Sequence, residues 1–465
     1  MPGFQVVTMS FPEQQEGPSR RQLIQWPLAV AAGAALGGEA AAQSAGPPRL
    51  ALLIGNRVYP TPFDLPPTHK NVHDLRDVLQ RRGFEVTDVL DADVAQTRQA
   101  LEAFSRKVQA APPDAVVFFY FTGHGLQVDA ENLLVASGVN PSAQSEVLVR
   151  GSTVLSGDVV RHLPKRPTGL TMAVVDACRT SIRAALAAGD GLNQVEAPPG
   201  CLIVFSTGAG KPAIAPAVET LNTFYTASLV KLMRTADDDL SFSDLFRLVK
   251  LDVQQTMQNH PLEAIRRLAQ SPFIAENTQV TVPLSPRKAD DGAPASRFKS
   301  ADEEADWHRL QETIWPPDIV RQADAYLEHY PRSKLVASAQ VVRQGAADAA
   351  TILQRNDIRL YRRSFEAGSD LGAAYRADLV KAAHGDKDAA ARIGRQWRTD
   401  ATSGPEVSRY EGWMQFAAEL GNGIASYELA LHYRRTDQPQ PAARWEARAR
   451  ELGYTPPPTL DHYRK

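Results

Sequence analysis

Four short runs of almost unbroken apolar residues constrain this chain most: Leu50-Ala51-Leu52-Leu53-Ile54, Ala115 to Phe121, Leu170 to Val175, and Leu202 to Phe205. A strand that is apolar at every position has no side to turn to water and must be buried on both faces. Phe84-Glu85-Val86 begins a further strand. Between the runs the period changes. Val72, Leu75, Val78 and Leu79 mark a helix from Val72 to Arg82 that Gly83 stops, and Thr97 opens another carrying Leu101, Phe104 and Val108. Alternating buried strands and helices predict an α/β fold, a mostly parallel sheet flanked by helices on both sides. In such sheets chemistry collects beyond the carboxyl ends of the strands.

Two of those ends carry reactive side chains. Ala115–Phe121 runs into Thr122-Gly123-His124-Gly125, and Leu170–Val175 runs into Asp176-Ala177-Cys178-Arg179. Glycines on each side of His124 allow a sharp turn and close backbone approach. A thiol needs a neighbouring base or cation to become a thiolate at neutral pH, and an imidazole on the next strand end supplies one. Each residue alone has a plain alternative, a surface histidine or a buried apolar cysteine. Their joint placement at strand ends favours catalysis.

Gly-His-Gly after one apolar strand and Asp-Ala-Cys-Arg after another, about 50 residues on, resemble the caspase-like cysteine peptidases, and within them the bacterial metacaspase (orthocaspase) type. Leu52-Leu53-Ile54-Gly55-Asn56, Asn71-Val72-His73-Asp74-Leu75 and Gly83-Phe84-Glu85-Val86 follow the family's opening order. Ala197-Pro198-Pro199-Gly200, the Leu202–Phe205 run and Ser206-Thr207 follow it after the cysteine. The resemblance spans residues 49–284. It implies peptide hydrolysis through a thioester, with Cys178 as nucleophile, His124 as acid and base, and the N–H groups of Gly125 and Cys178 as oxyanion hole. No metal or other cofactor is required, and no third member of the catalytic group is evident. The resemblance also implies cleavage after Arg or Lys, with Asp74, Thr122 and Asp176 as substrate-binding residues, since carboxylates match a guanidinium in charge and geometry. Asn-Val-His-Asp departs from the commoner Asn-Asp pair and weakens the match at Asp74. Calcium activates many metacaspases, but Asp237-Asp238-Asp239 lacks the spaced ligands and glycine of a calcium loop and reads as a solvated turn. Arg179 and Arg183 are candidate self-cleavage positions.

The chain has two cysteines, Cys178 and Cys201. One follows the carboxyl end of a strand and the other begins the next, so parallel neighbours would hold them too far apart for a bridge. Residues 1–48 read as an export signal. Arg20-Arg21 precede an apolar stretch from Trp26 to Leu36 and then Ala40-Ala41-Ala42, resembling a twin-arginine signal cleaved after Ala42 or kept as an anchor. That address is the bacterial periplasm.

Residues 285–300 are rich in Pro, Gly and charge and read as a linker. Beyond it the period is helical. Residues 301–346 resemble a tetratricopeptide-like hairpin, and 347–465 resemble Sel-like repeats, because Gly385, Gly421 and Gly453 recur at intervals of 36 and 32. A generic Ala-rich bundle is the alternative. Such a region suits a protein partner. With 51 Lys+Arg against 53 Asp+Glu, the balance argues against a nucleic-acid partner, and Gly55-Asn56-Arg57-Val58 lacks the glycine series of a phosphate loop. Two functions from different classes follow: a cysteine endopeptidase, or a catalytically silent scaffold of the same fold acting through its helical repeats.

Overall fold

A computed structural model describes residues 46–128, 130–177, 180–181, 192–208, 213–214, 216–286, 298–366, 372–399, 401 and 403–457. The expected export signal, Cys178, Arg179 and Arg183 lie outside these residues. From Ser44 onward the chain is one compact unit.

Its centre is a six-stranded sheet of β1 (Arg49–Gly55), β2 (Glu85–Leu90), β3 (Val116–Gly123), β7 (Leu170–Ala177), β9 (Cys201–Phe205) and β10 (Phe273–Asn277). The order is β10-β9-β7-β3-β1-β2. All neighbours are parallel except β10, which runs antiparallel to β9. Every residue of β1, β3, β7 and β9 is buried, which is why those four runs carry no polar alternation. A second, smaller sheet not expected from the sequence joins β4 (Gly125–Val128), β5 (Glu131–Val135), β6 (Ser152–Val154) and β8 (Thr180–Ser181) in the order β6-β5-β4-β8.

Helices cover both faces of the main sheet. On one side α1 (Thr68–Arg81), α4 (Phe224–Thr235) and α5 (Phe242–Gln258) pack Leu75, Leu229 and Phe246 against Phe118, Tyr120 and Val174. On the other, α2 (Val94–Ala110) packs Leu101, Phe104 and Val108 against Leu52, Phe119 and Val175. Short helices α3 (Ser145–Arg150) and α6 (Glu263–Arg267) complete this part. Both α1 and α2 begin before their first expected residues. At α2 the reason is a capping box, in which Asp93 accepts from the Gln96 N–H and Gln96 reaches back to the Asp93 N–H.

The remainder is all-α: α7 (Ala301–Glu312), α8 (Pro316–His329), α9 (Val336–Leu353), α10 (Ala373–Ala383), α11 (Lys387–Gln396), α12 (Pro405–Glu419), α13 (Gly423–Arg435) and α14 (Pro439–Glu451). One core runs through it, from Trp307 and Tyr326 through Leu379 to Trp413, Leu429 and Trp445. The recurring glycines have one structural role. Gly385, Gly421 and Gly453 have φ of 86°, 107° and 75° and end α10, α12 and α14. Each turn pairs its last carbonyls as a Schellman motif, for example Asn422 N–H to Ala417 C=O and Gly421 N–H to Ala418 C=O. Asp386 and Asn422 then cap the next helices.

The helical region docks against the β10 edge and the segment after residue 191. Glu276 N–H donates to Asp388 (2.9 Å), and Arg392 to the Glu276 carbonyl (3.0 Å). Gln194 donates to Leu452 C=O (2.7 Å) and accepts from Gly423 N–H (2.8 Å). Asn193 exchanges two bonds with the backbone of Thr455.

Candidate active site

The site forms where β3 and β7 end side by side. Their register pairs Thr122 with Asp176 and Gly123 with Ala177. In sequence, His124 follows β3 and Cys178 follows β7. Cys178 lies outside the described residues. Gly123 is required sterically: a Cβ there would sit 2.8 Å from both the Phe121 ring and the Tyr59 hydroxyl.

His124 is held on three sides. Its backbone N–H donates to Tyr59 Oη (3.2 Å), whose hydroxyl donates to Val135 C=O (3.1 Å). The Tyr59 ring meets the imidazole edge to face at 4.5 Å. Nε2 lies 2.8 Å from the Phe63 carbonyl. A carbonyl only accepts, so Nε2 carries the proton and the neutral ring keeps its lone pair on Nδ1. Burial lowers the imidazole pKa from its ordinary 6.5, and the Phe63 bond opposes that only in part. The ring is therefore poised as a neutral base. Sequence reasoning missed Phe63 because a main-chain carbonyl leaves no residue-type signal.

Gly125 opens β4. Val135 N–H donates to the His124 carbonyl (3.0 Å), so His124 and Val135 occupy a hydrogen-bonded position of the β4–β5 ladder. Gly125 and Leu134, the next pair, occupy a non-bonded one, which turns the Gly125 N–H away from β5.

Asp176 is buried at the strand end beneath α4. Its Oδ2 accepts from Thr223 Oγ1 (2.5 Å) and Thr226 Oγ1 (2.6 Å), with the Tyr120 hydroxyl 2.7 Å from Thr226 and 3.4 Å from the carboxylate. Oδ1 is buried and accepts no well-formed hydrogen bond among the described residues, although Ser206 stands near enough to favour the charge. No ion pair reaches Asp176 among the described residues. Burial raises its pKa above 3.8 against the pull of the surrounding hydroxyls. Thr122 joins the same group through Asn71, whose amide donates to Thr122 Oγ1 and Thr223 Oγ1 (3.3 Å each). Asp74 stands apart from it, one turn along α1, paired with Lys70 (2.9 Å) and near Arg234 (3.9 Å). The residue of α1 that meets the Asp176 group is Asn71. Thr223, Thr226 and Tyr120 were also missed, since hydroxyls 47 and 50 residues downstream and 56 residues upstream carry no spacing signal.

Cys201 pairs with Thr171 at the start of β7 and is a buried free cysteine. Six residues of strand, roughly 20 Å, separate that register from Ala177. Asp237, Asp238 and Asp239 are exposed, and Asp238 accepts from Arg82 and Ser285. Among the described residues no group of three or more His, Cys, Asp or Glu side chains is arranged to hold a metal ion, and no helix is long and apolar enough to cross a membrane.

Residues 48–282 match the family described as Peptidase_C14, caspase domain. Among solved structures the chain is similar to caspase-1 from Spodoptera frugiperda, at 15% identity and a TM-score of 0.40, over 53% of this chain and 93% of that one. No curated protein matches.

Proposed function

This chain belongs to the caspase-domain peptidase family, and from that premise we propose that it hydrolyses peptide bonds after Arg or Lys by a Cys178–His124 dyad. The single observation that carries the reading is the β3–β7 register, which ends the two strands level at Gly123 and Ala177. The Phe63 carbonyl supports it by leaving Nδ1 of His124 as the basic nitrogen.

In the proposed reaction Nδ1 takes the Cys178 proton, and the thiolate attacks the carbonyl carbon of the scissile bond. The N–H groups of Gly125 and Cys178 stabilise the oxyanion. Collapse expels the amine with the proton held by His124. Water, deprotonated by the same ring, then hydrolyses the thioester and returns the thiol. Asp176 supports basic specificity: it is a buried carboxylate with one bare oxygen and no cation among the described residues. A guanidinium or ammonium from the substrate supplies the missing partner. Thr122 braces this group through Asn71, and Asp74 adds negative charge on the same helix.

Residues 1–48 direct twin-arginine export to the periplasm, 49–284 form the peptidase, and 285–300 link it to the helical part. Tetratricopeptide-like (301–346) and Sel-like (347–465) helices bind a protein partner.

An Arg-fluoromethylketone probe tests the activity. It labels the wild type on Cys178 and fails with Cys178→Ala or His124→Ala, and peptides with Arg or Lys are cut in preference to Asp. Failure to label the folded wild type would leave the scaffold reading.

A further inference from the structure

The small sheet joins the two halves of the candidate site. Its strand β4 starts at Gly125, beside His124, and pairs with β5 on one side. On the other side it pairs with β8, which follows Cys178 in sequence. The β4–β5 hairpin therefore sets where the Gly125 N–H stands. The far end of that hairpin is held by Asn193. The Asn193 N–H donates to Asn132 Oδ1 (2.8 Å) and its carbonyl accepts from Asn132 Nδ2 (3.1 Å), so this side chain of β5 pairs with it as a neighbouring strand would. The Asn193 side-chain amide donates to the Ala130 carbonyl (3.0 Å). Ala130 precedes β5 with a φ of 75°, a conformation that residues with a Cβ seldom adopt, and the bond favours it.

The same side chain also reaches the helical region. It donates to the Thr455 carbonyl (2.8 Å) and accepts from the Thr455 N–H (2.9 Å). Among the described residues the Gln194 side chain bonds the helical region only. It sits where three helices end, donating to Gly421 C=O (3.3 Å) after α12 and Leu452 C=O (2.7 Å) after α14, and accepting from the Gly423 N–H (2.8 Å) that starts α13. These are groups that a helix leaves without a partner of its own. Asn132, Asn193 and Gln194 are all buried, so a bond lost here leaves a polar group unpaired away from water.

We infer, on the peptidase reading proposed above, that Asn193 is a positioning residue for the Gly125 N–H, and that the α12–α14 end of the helical region holds it in place through Thr455 and Gln194. The helical region then acts on the site from within the chain, by bracing the hairpin that carries one oxyanion donor. A donor displaced by about 1 Å costs about a hundredfold in rate. The loss falls on the chemical step, because the oxyanion exists only after attack.

The test compares the full chain as wild type, Asn193→Asp and Gln194→Ala. Asp keeps the acceptor for the Thr455 N–H and loses both donors, whereas Gln194→Ala cuts bonds to the helical region alone. Hydrolysis of an Arg peptide gives kcat and KM, and amide hydrogen exchange of β4 is followed on the same proteins without substrate. Both variants should lower kcat about tenfold or more, leave KM within about twofold, and speed exchange in β4. If Asn193→Asp does not fold, Gln194→Ala, which leaves the hairpin contacts intact, carries the test. An unchanged kcat in folded Gln194→Ala would overturn the part given to the helical region, and an unchanged kcat in both would overturn the whole. A rise in KM with kcat unchanged would overturn positioning of the oxyanion donor. A wild type that cleaves no peptide would count against the dyad itself. Exchange in β4 is then the measure, faster in both variants if the brace is real and equal to wild type if it is not.

Discussion

Asp176→Asn separates the electrostatic cost of the buried carboxylate from its shape. Asn keeps the size and an oxygen for the Thr223 and Thr226 hydroxyls, 2.5 and 2.6 Å away, and removes only the ionisation. In the wild type the folded pKa lies above the ordinary 3.8, chiefly through burial. The folded state therefore binds more protons than the unfolded one between those two values. Wild-type stability from this group is full below about pH 4 and is lost as pH rises through the folded pKa, at about 1.4 kcal/mol per pH unit. Asp176→Asn lacks that loss. Its stability relative to wild type should climb with that slope across the window and then level off. Urea unfolding followed by far-UV circular dichroism at several pH values measures this. Tryptophan fluorescence would not, since no tryptophan lies between residues 46 and 284. The same variant should lose about a hundredfold in kcat/KM on Arg peptides, the cost of leaving a substrate cation unpaired. Parallel stability curves would refute the reasoning. A wild type that gains stability with pH would show a cation held against the carboxylate.

Thr226→Val deletes one donor to Asp176 with little change of shape. A hydrogen bond to a charged group contributes about 1.5–3 kcal/mol, so KM for an Arg peptide should rise about tenfold or more while kcat changes little. An unchanged KM would remove Thr226 from the specificity group. Trp413→Ala empties the helical core, where the indole is buried and meets the Phe365 ring at 4.9 Å. A loss of about 3–5 kcal/mol is expected, read by fluorescence of the remaining tryptophans in urea. A loss below about 1 kcal/mol would contradict a shared core across α7–α14.

The α/β order and the four buried strands were legible because burial leaves a local trace. An apolar run such as Leu170–Val175 states its own environment, and glycines around His124 state a need for close approach. Even α2's true start was legible in Asp93 and Gln96, a capping pair that the apolar period at Leu101 and Phe104 overshadowed. The antiparallel β10 left no such mark, because Phe273–Asn277 alternates too briefly to show direction.

What the chain determined alone was which residues leave water and where the central strands end. The polar partners were decided only by tertiary structure. The Phe63 carbonyl orients His124 from 61 residues away, Thr223 and Thr226 reach Asp176 from α4, and Asn71 rather than Asp74 bonds the Thr223 hydroxyl beside that carboxylate. Apolar burial is recorded residue by residue, whereas a hydrogen bond depends on which distant loop or helix end crosses the strand tips, and that is settled only when the layers pack.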